Sequence, residues 1–272
     1  MKKFLEEAPL VLSVLHLEFS KIPALSVMTQ EMSNSLHQRM IGEGFPERID
    51  SQQEIVEFAF NNSNNNQPPQ KQTTNVHRTL FRASGEMDIV QVCDHALILK
   101  TTNYQRFEDF HEKFTGAIQA CIDVIPNFDK ALLKSVGLRY VDLIAPKPGA
   151  LLSDYISSEV LPMSLSMLDK PLKRHGKTFT QSQVNENQVI SVIFEEIPTE
   201  QGQVHKVLPD NLIETDPKGG LIIRGHQWWR ELDSPTYGIL DVDHHYSFIG
   251  SPVFDINTFN EAIKSLYVYA NQ

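Results

Sequence analysis

A chain of 272 residues with 41% apolar and 21% charged residues is long enough to bury a core without covalent staples. Its two cysteines, Cys93 and Cys121, exclude a disulfide framework and a cysteine-rich zinc module. The net charge of −10, from 24 Lys and Arg against 34 Asp and Glu, argues against direct general nucleic-acid binding and suits a protein partner with a basic surface.

The first predicted element is a strand over Leu10–Phe19, with Val11, Leu15, Leu17 and Phe19 on one parity. A helix follows over Ala24–Ile41, where Leu25, Met28, Met32, Leu36 and Met40 recur at helical spacing and Gly42 ends the run. Glu54–Phe60 reads as a strand. Residues 61–75, rich in Asn and Gln and nearly devoid of apolar side chains, read as an exposed loop, because little burial repays their ordering entropy. Three short strands follow at Arg78–Ser84, Asp88–Cys93 and Ala96–Thr102. The clearest helix is Phe107–Ile125. Phe107, Phe110, Phe114, Ala117, Ile118 and Cys121 form one stripe, Asn103 or Thr102 is its expected cap, and Pro126 stops it.

The pattern then restarts. Ser135–Ile144 reads as a strand and Leu152–Leu168 as a helical stretch interrupted by Pro162. Thr178–Val184, Val189–Ile197, Gly220–Arg230 and Tyr237–Phe248 read as strands. The last helix carries Ile256, Phe259, Ile263, Leu266, Tyr267 and Ala270 at the same offsets as the Phe107 helix. The order strand, helix, strands, long helix thus occurs twice. It predicts an α+β fold made of an internally duplicated, curved antiparallel sheet covered by long helices, with repeats at 1–126 (including the loop 61–75) and 127–272. That order resembles the duplicated saddle of TATA-binding proteins and also the helix-grip fold. The resemblance is topological and transfers no function.

No phosphate-loop, nucleophile-elbow, zinc-protease or dinucleotide signature is present, and no cofactor is expected. Gly176-Lys177-Thr178 lacks the glycine six residues before the lysine, where Pro171 stands. On a strand, Asp241, Asp243 and His245 point to one side and form a candidate divalent-metal set; the alternative is a solvated strand face. Arg139 lies inside an apolar strand, so it needs a carboxylate such as Asp142 or Asp241, or it serves to bind an anion. Trp228 and Trp229, beside Arg224, His226 and Arg230, would face opposite sides of a strand, one in the core and one free for a ligand or partner. The basic run Lys170–Lys177 reads as a solvated loop or a phosphate-contact patch.

Three segments, Pro9-Leu10-Val11, Gly137-Leu138-Arg139-Tyr140 and Leu240-Asp241-Val242-Asp243, resemble those of an uncharacterised, sporadically distributed bacterial protein family of similar length. Ser13 stands where that family usually has Glu, and Asp142 where it usually has Asn. The apolar stripe of the last helix is still running near Gln272, and the resemblance implies a longer C-terminus. The resemblance supplies no catalytic residues. Its scattered distribution implies a defence or toxin–antitoxin setting.

The functional expectation is therefore a non-enzymatic binding protein, an accessory or neutralising partner, with homo-oligomerisation open. The alternatives are a small-molecule binder or enzyme with a cavity between sheet and helix, lined by Arg139, His226, Trp228 and Trp229, and a metal-dependent hydrolase using Asp241, Asp243 and His245. The acidic pair Glu6-Glu7 interrupts any secretory leader, and no apolar run reaches the roughly 20 residues that cross a bilayer. The expected location is cytoplasmic, without membrane insertion.

Overall fold

Apolar residues on both parities of Leu10–Phe19 demand cover on two sides, and this segment becomes β1, in the middle of a nine-stranded sheet. The computed structural model describes residues 9–59, 70–162 and 175–270. After β1 come helices α1 (Pro23–Ser26) and α2 (Gln30–Gly42) and strands β2 (Glu47–Ala59), β3 (Gln70–Arg82), β4 (Asp88–Val92) and β5 (Ala96–Thr101). Helix α3 (Phe107–Val124) leads to β6 (Leu133–Ile144), β7 (Gly176–Asn185), β8 (Gln188–Pro198) and β9 (Thr236–Ser247), and helix α4 (Ile256–Ala270) follows. The strand order is β2-β3-β4-β5-β1-β6-β9-β8-β7, and every pairing is antiparallel.

Helices α2, α3 and α4 cover one face. Leu15 and Leu17 of β1, Leu97 and Leu99 of β5, and Val136 and Leu138 of β6 meet Phe110, Phe114, Ile118, Phe259 and Ile263 there. Phe107 stacks on Tyr267 with ring centroids 4.0 Å apart, which ties α3 to α4. Each fully buried side chain of this size stabilises the fold by about 1.5–3 kcal/mol. On the opposite face a second core joins Leu12, Val14, Val141, Leu143 and Ile239 to Trp229 and Leu232. Here the cover is the irregular segment 199–235, held down by Tyr237, whose hydroxyl accepts from the Lys206 amide at 2.9 Å.

Several expectations are corrected. The α+β class and the antiparallel sheet hold, but the sheet is open, with β2 and β7 at its edges, and it neither curls nor closes. The expected curved sheet of TATA-binding-protein-like or helix-grip-like form is thereby overturned. The sheet's two apolar faces are each covered by a separate layer, so neither a bare concave saddle nor a helix-closed cavity forms. Within the single sheet, β1 pairs β5 and β6 pairs β9, and β1 and β6 lie side by side with Leu15 opposite Leu138.

The helix expected over Ala24–Ile41 is two helices. Thr29 breaks it by capping α2, its hydroxyl accepting from the Met32 amide at 3.2 Å. Helix α3 starts after Arg106, which makes no side-chain cap; Arg106 instead pairs with Asp109. Gln70–Asn75, expected in a loop, belong to β3, while residues 61–69 lie outside the described residues. Of the helix expected over Leu152–Leu168, the described part contains only a 3-10 turn at Leu152–Asp154, and 163–168 lie outside the described residues. So does most of the Lys170–Lys177 run. Gly220–Arg230 is not a strand but irregular chain ending in a 3-10 turn at Gln227–Arg230.

Candidate ligand-binding cleft

On the helix-free face, the sheet register sets side chains in two rows. Lys100 of β5 is opposite Val14 of β1, Val14 opposite Arg139 of β6, and Arg139 opposite Asp243 of β9. One step along, Ile98, His16, Gly137 and His245 form the second row. Because alternate residues of a strand share a face, both rows look the same way. Together with Arg78 of β3 and Gln91 of β4 they floor a cleft of about 460 Å³, roofed by Asn211–Thr215. Gly137 leaves its floor bare between His16 and His245: a Cβ there would lie 3.8 Å from both side chains.

Two arginines hang the roof from the sheet. Arg78 donates to both Glu214 carboxylate oxygens, one of them at 3.1 Å. Arg139 donates to the Asn211 side chain at 3.2 Å while its Nε bonds Asp241 at 2.7 Å. Glu214 also accepts from the Asp216 amide at 2.9 Å, and Asp216 accepts from the Ser51 hydroxyl at 2.7 Å. Burial opposes ionisation of Glu214, yet the bonds from Arg78 and the Asp216 amide hold its carboxyl below the ordinary range. For Arg139, burial works against the charge and Asp241 more than offsets it, raising the guanidinium pKa.

The remaining charged groups of the cleft have no such partners. Lys100 makes no hydrogen bond or ion pair among the described residues, and burial pushes its ammonium pKa down. Asp243 is likewise without a direct partner there. Burial pushes its carboxyl up, with Arg139 as the main opposing charge. Burial also lowers the pKa of His16, against the attraction of Glu18.

Of the residues singled out in the sequence, Arg139, Asp243 and His245 line this cleft. Arg139 takes Asp241 rather than Asp142 as its carboxylate, in a largely buried pair. That pairing commits both Asp241 oxygens, and among the described residues no three His, Cys, Asp or Glu side chains come together to hold a metal. The Asp241, Asp243, His245 set therefore stays strung along one strand.

Arg224, His226, Trp228 and Trp229 do not line the cleft. In their 3-10 turn Trp229 packs in the second core, and Trp228 is half-buried with its indole donating to the Ala145 carbonyl at 3.3 Å. His226 stacks on Trp228 at 4.2 Å, and Arg224 is exposed.

The cleft residues that the sequence reading missed are His16, Arg78, Lys100, Gly137 and Glu214. His16 and Lys100 carried the same signal as Arg139, a polar side chain inside an apolar strand. Glu214 carried none. No helix among the described residues is long and apolar enough to cross a membrane. No protein-family model matches the chain, and no curated protein matches it.

Proposed function

We propose that this is a non-enzymatic binding protein whose ligand, a small polar molecule, sits in the cleft between the helix-free sheet face and the 211–215 roof. The observation that carries this reading is the cleft itself. Six strands and the roof converge on a space of about 460 Å³, within the usual range for small-molecule sites. The sheet fixes its floor rigidly, and the ion pair at Arg78 and the Arg139 bridge preorganise its roof, which lowers the ordering cost of binding. A defence or toxin–antitoxin setting in the cytoplasm rests on the family resemblance alone.

The test is a thermal-shift screen of charged and neutral metabolites on the wild type and on Gly137→Val, which fills the floor between the two imidazoles. A cleft ligand at a hundred times its Kd stabilises the wild type by about 2.7 kcal/mol and leaves Gly137→Val unmoved. Shifts of equal size in both proteins, or none in either, refute the reading.

A second reading, a protein partner with a basic surface, is favoured by the outermost strand β7. Its side chains are largely exposed, with Phe179 at 62%, and an open edge strand accepts a further strand by backbone pairing. The net charge of −10 would speed the encounter. Pull-down from a bacterial lysate with wild type and Phe179→Asp, followed by sedimentation of the captured complex, separates a foreign partner from a second copy. Equal capture by both proteins counts against this edge.

A further inference from the structure

The cleft is electrically bipolar. At its β3–β5 end stand Arg78, Lys100 and Glu214, and Glu214 is consumed by Arg78. One positive charge, on Lys100, is left without a counter-charge in contact. At its β6–β9 end stand Arg139 and Asp243, and Arg139 is consumed by the buried Asp241 beside the cleft. One negative charge, on Asp243, is left over. Burying a charge without a partner is costly, so each end favours a complementary group.

The two leftover charges cannot satisfy each other. They occupy the same row but are separated by β1 and β6, which places their backbones three strand spacings, about 14 Å, apart. Subtracting a hydrogen bond of about 3 Å at each end leaves roughly 8 Å. An extended chain covers that in two or three residues at about 3.3–3.6 Å each. Val14 and the Asp241-paired Arg139 lie between them in that row, and the bare backbone at Gly137 lies in the next row, with His16 and His245 on either side of it as polar groups for the midsection.

We propose that the cleft seats a zwitterion, its anionic group on Lys100 and its cationic group on Asp243, of the size of a di- or tripeptide with free ends. The inference rests on the cleft being the ligand seat. A single anion would answer Lys100 and leave Asp243 half-buried and without a contact; a single cation would do the reverse. Only a ligand carrying both charges, in the opposite order to the cleft, answers both. Arg78 and Arg139 are positioning residues here, since they act through the roof and not on the ligand's charges.

The experiment is calorimetric titration of the full chain with the free dipeptides alanyl-X, one for each X, and with the N-acetylated and C-amidated forms of the tightest. The expected result is binding of the free dipeptide with each capped form at least tenfold weaker. Lys100→Met then abolishes the discrimination against the amide, and Asp243→Asn abolishes the discrimination against the acetylated form. Gly137→Val removes binding altogether. The comparison of capped with free ligand on the wild type needs no variant to fold.

Capped and free forms binding alike, or binding that survives Gly137→Val, overturns the zwitterion. If no dipeptide binds but a neutral or singly charged metabolite does so in a Gly137-dependent way, the zwitterion falls and the cleft remains the ligand seat. If nothing of any charge binds, both fall together.

Discussion

Asp142 offers the sharpest test of the energetics. It sits on β6 with Leu10 opposite it on β1 and Leu240 opposite it on β9. Its carboxyl has no hydrogen-bond or ion-pair partner among the described residues, and burial pushes its pKa up to about 6 from the ordinary 3.8. An acid whose folded pKa is raised binds more protons when folded, so stability falls as pH rises through the window from about 3.8 to about 6. At 1.36 kcal/mol per tenfold change in acidity, that gap costs the folded state roughly 3 kcal/mol at neutral pH. Asp142→Asn keeps the shape and deletes the charge. The variant is expected to be more stable than wild type by roughly 3 kcal/mol at pH 7, by about half of that near pH 5, and equal to it at pH 3. Urea unfolding followed by tryptophan fluorescence at those three pH values reads the difference directly. A gain that does not vary with pH, or a loss at pH 7, would refute the reasoning, because either result means the carboxylate is solvated or paired.

Phe110→Ala and Phe259→Ala, which empty the helix-side core where these rings are 3% and 0% exposed, should each cost about 3–5 kcal/mol in urea unfolding; a cost below about 1 kcal/mol would place the rings outside a packed core. Arg139→Ala should cost about 3–5 kcal/mol by stranding the buried Asp241, and the pair Arg139→Met with Asp241→Leu should recover most of it, as thermal denaturation of the three proteins would show. Burial pushes the Cys121 thiol up to about 12 and also raises Cys93, so Ellman's reagent at pH 8 should find no fast-reacting thiol in the native protein and two in denaturant; one fast thiol in the native protein contradicts the packing. Because Glu214 is held below its ordinary 4.5, its contribution to the roof is present above pH 4.5 and is lost as pH falls through its folded value. Hydrogen exchange at residues 211–216 should therefore lose protection in acid, and Glu214→Gln should lose it at pH 7; unchanged protection in the variant would detach the roof from Arg78.

Helices α3 and α4 were legible because an apolar stripe at helical period leaves few other backbones. Strands β1, β6 and β9 were legible from runs of apolar residues on one or both parities. The segment Gly220–Arg230 misled for an instructive reason. Leu221 and Ile223 alternate with outward residues and pack on the second core, so the alternation correctly reported which side faces inward. It did not report whether the backbone pairs with a neighbour, and irregular chain laid over a core alternates just as a strand does. An Arg inside an apolar strand called for a carboxylate, with Asp142 and Asp241 as the candidates, and the choice between them required register. The cleft demanded more still. Lys100, Arg139 and Asp243 become one row only when β5, β1, β6 and β9 are ordered side by side, and nothing local to any strand encodes that order. Glu214 joins through a roof whose sequence has no periodicity at all.

The place of β1 has a consequence for how the chain comes into being. Among the described strands of the sheet it is the earliest in sequence and also the middle one, with partners at Leu99 and Leu138. During translation it emerges with both edges open and waits until β5, and then β6, have left the ribosome. Contacts this distant in sequence make for slow folding, and an unpaired apolar strand is the surface on which nascent chains associate wrongly. The same strand carries Val14 and His16 in the floor of the cleft, so the cleft is among the last parts of the sheet to form, completed only when β9 arrives to bring Asp243 and His245 alongside.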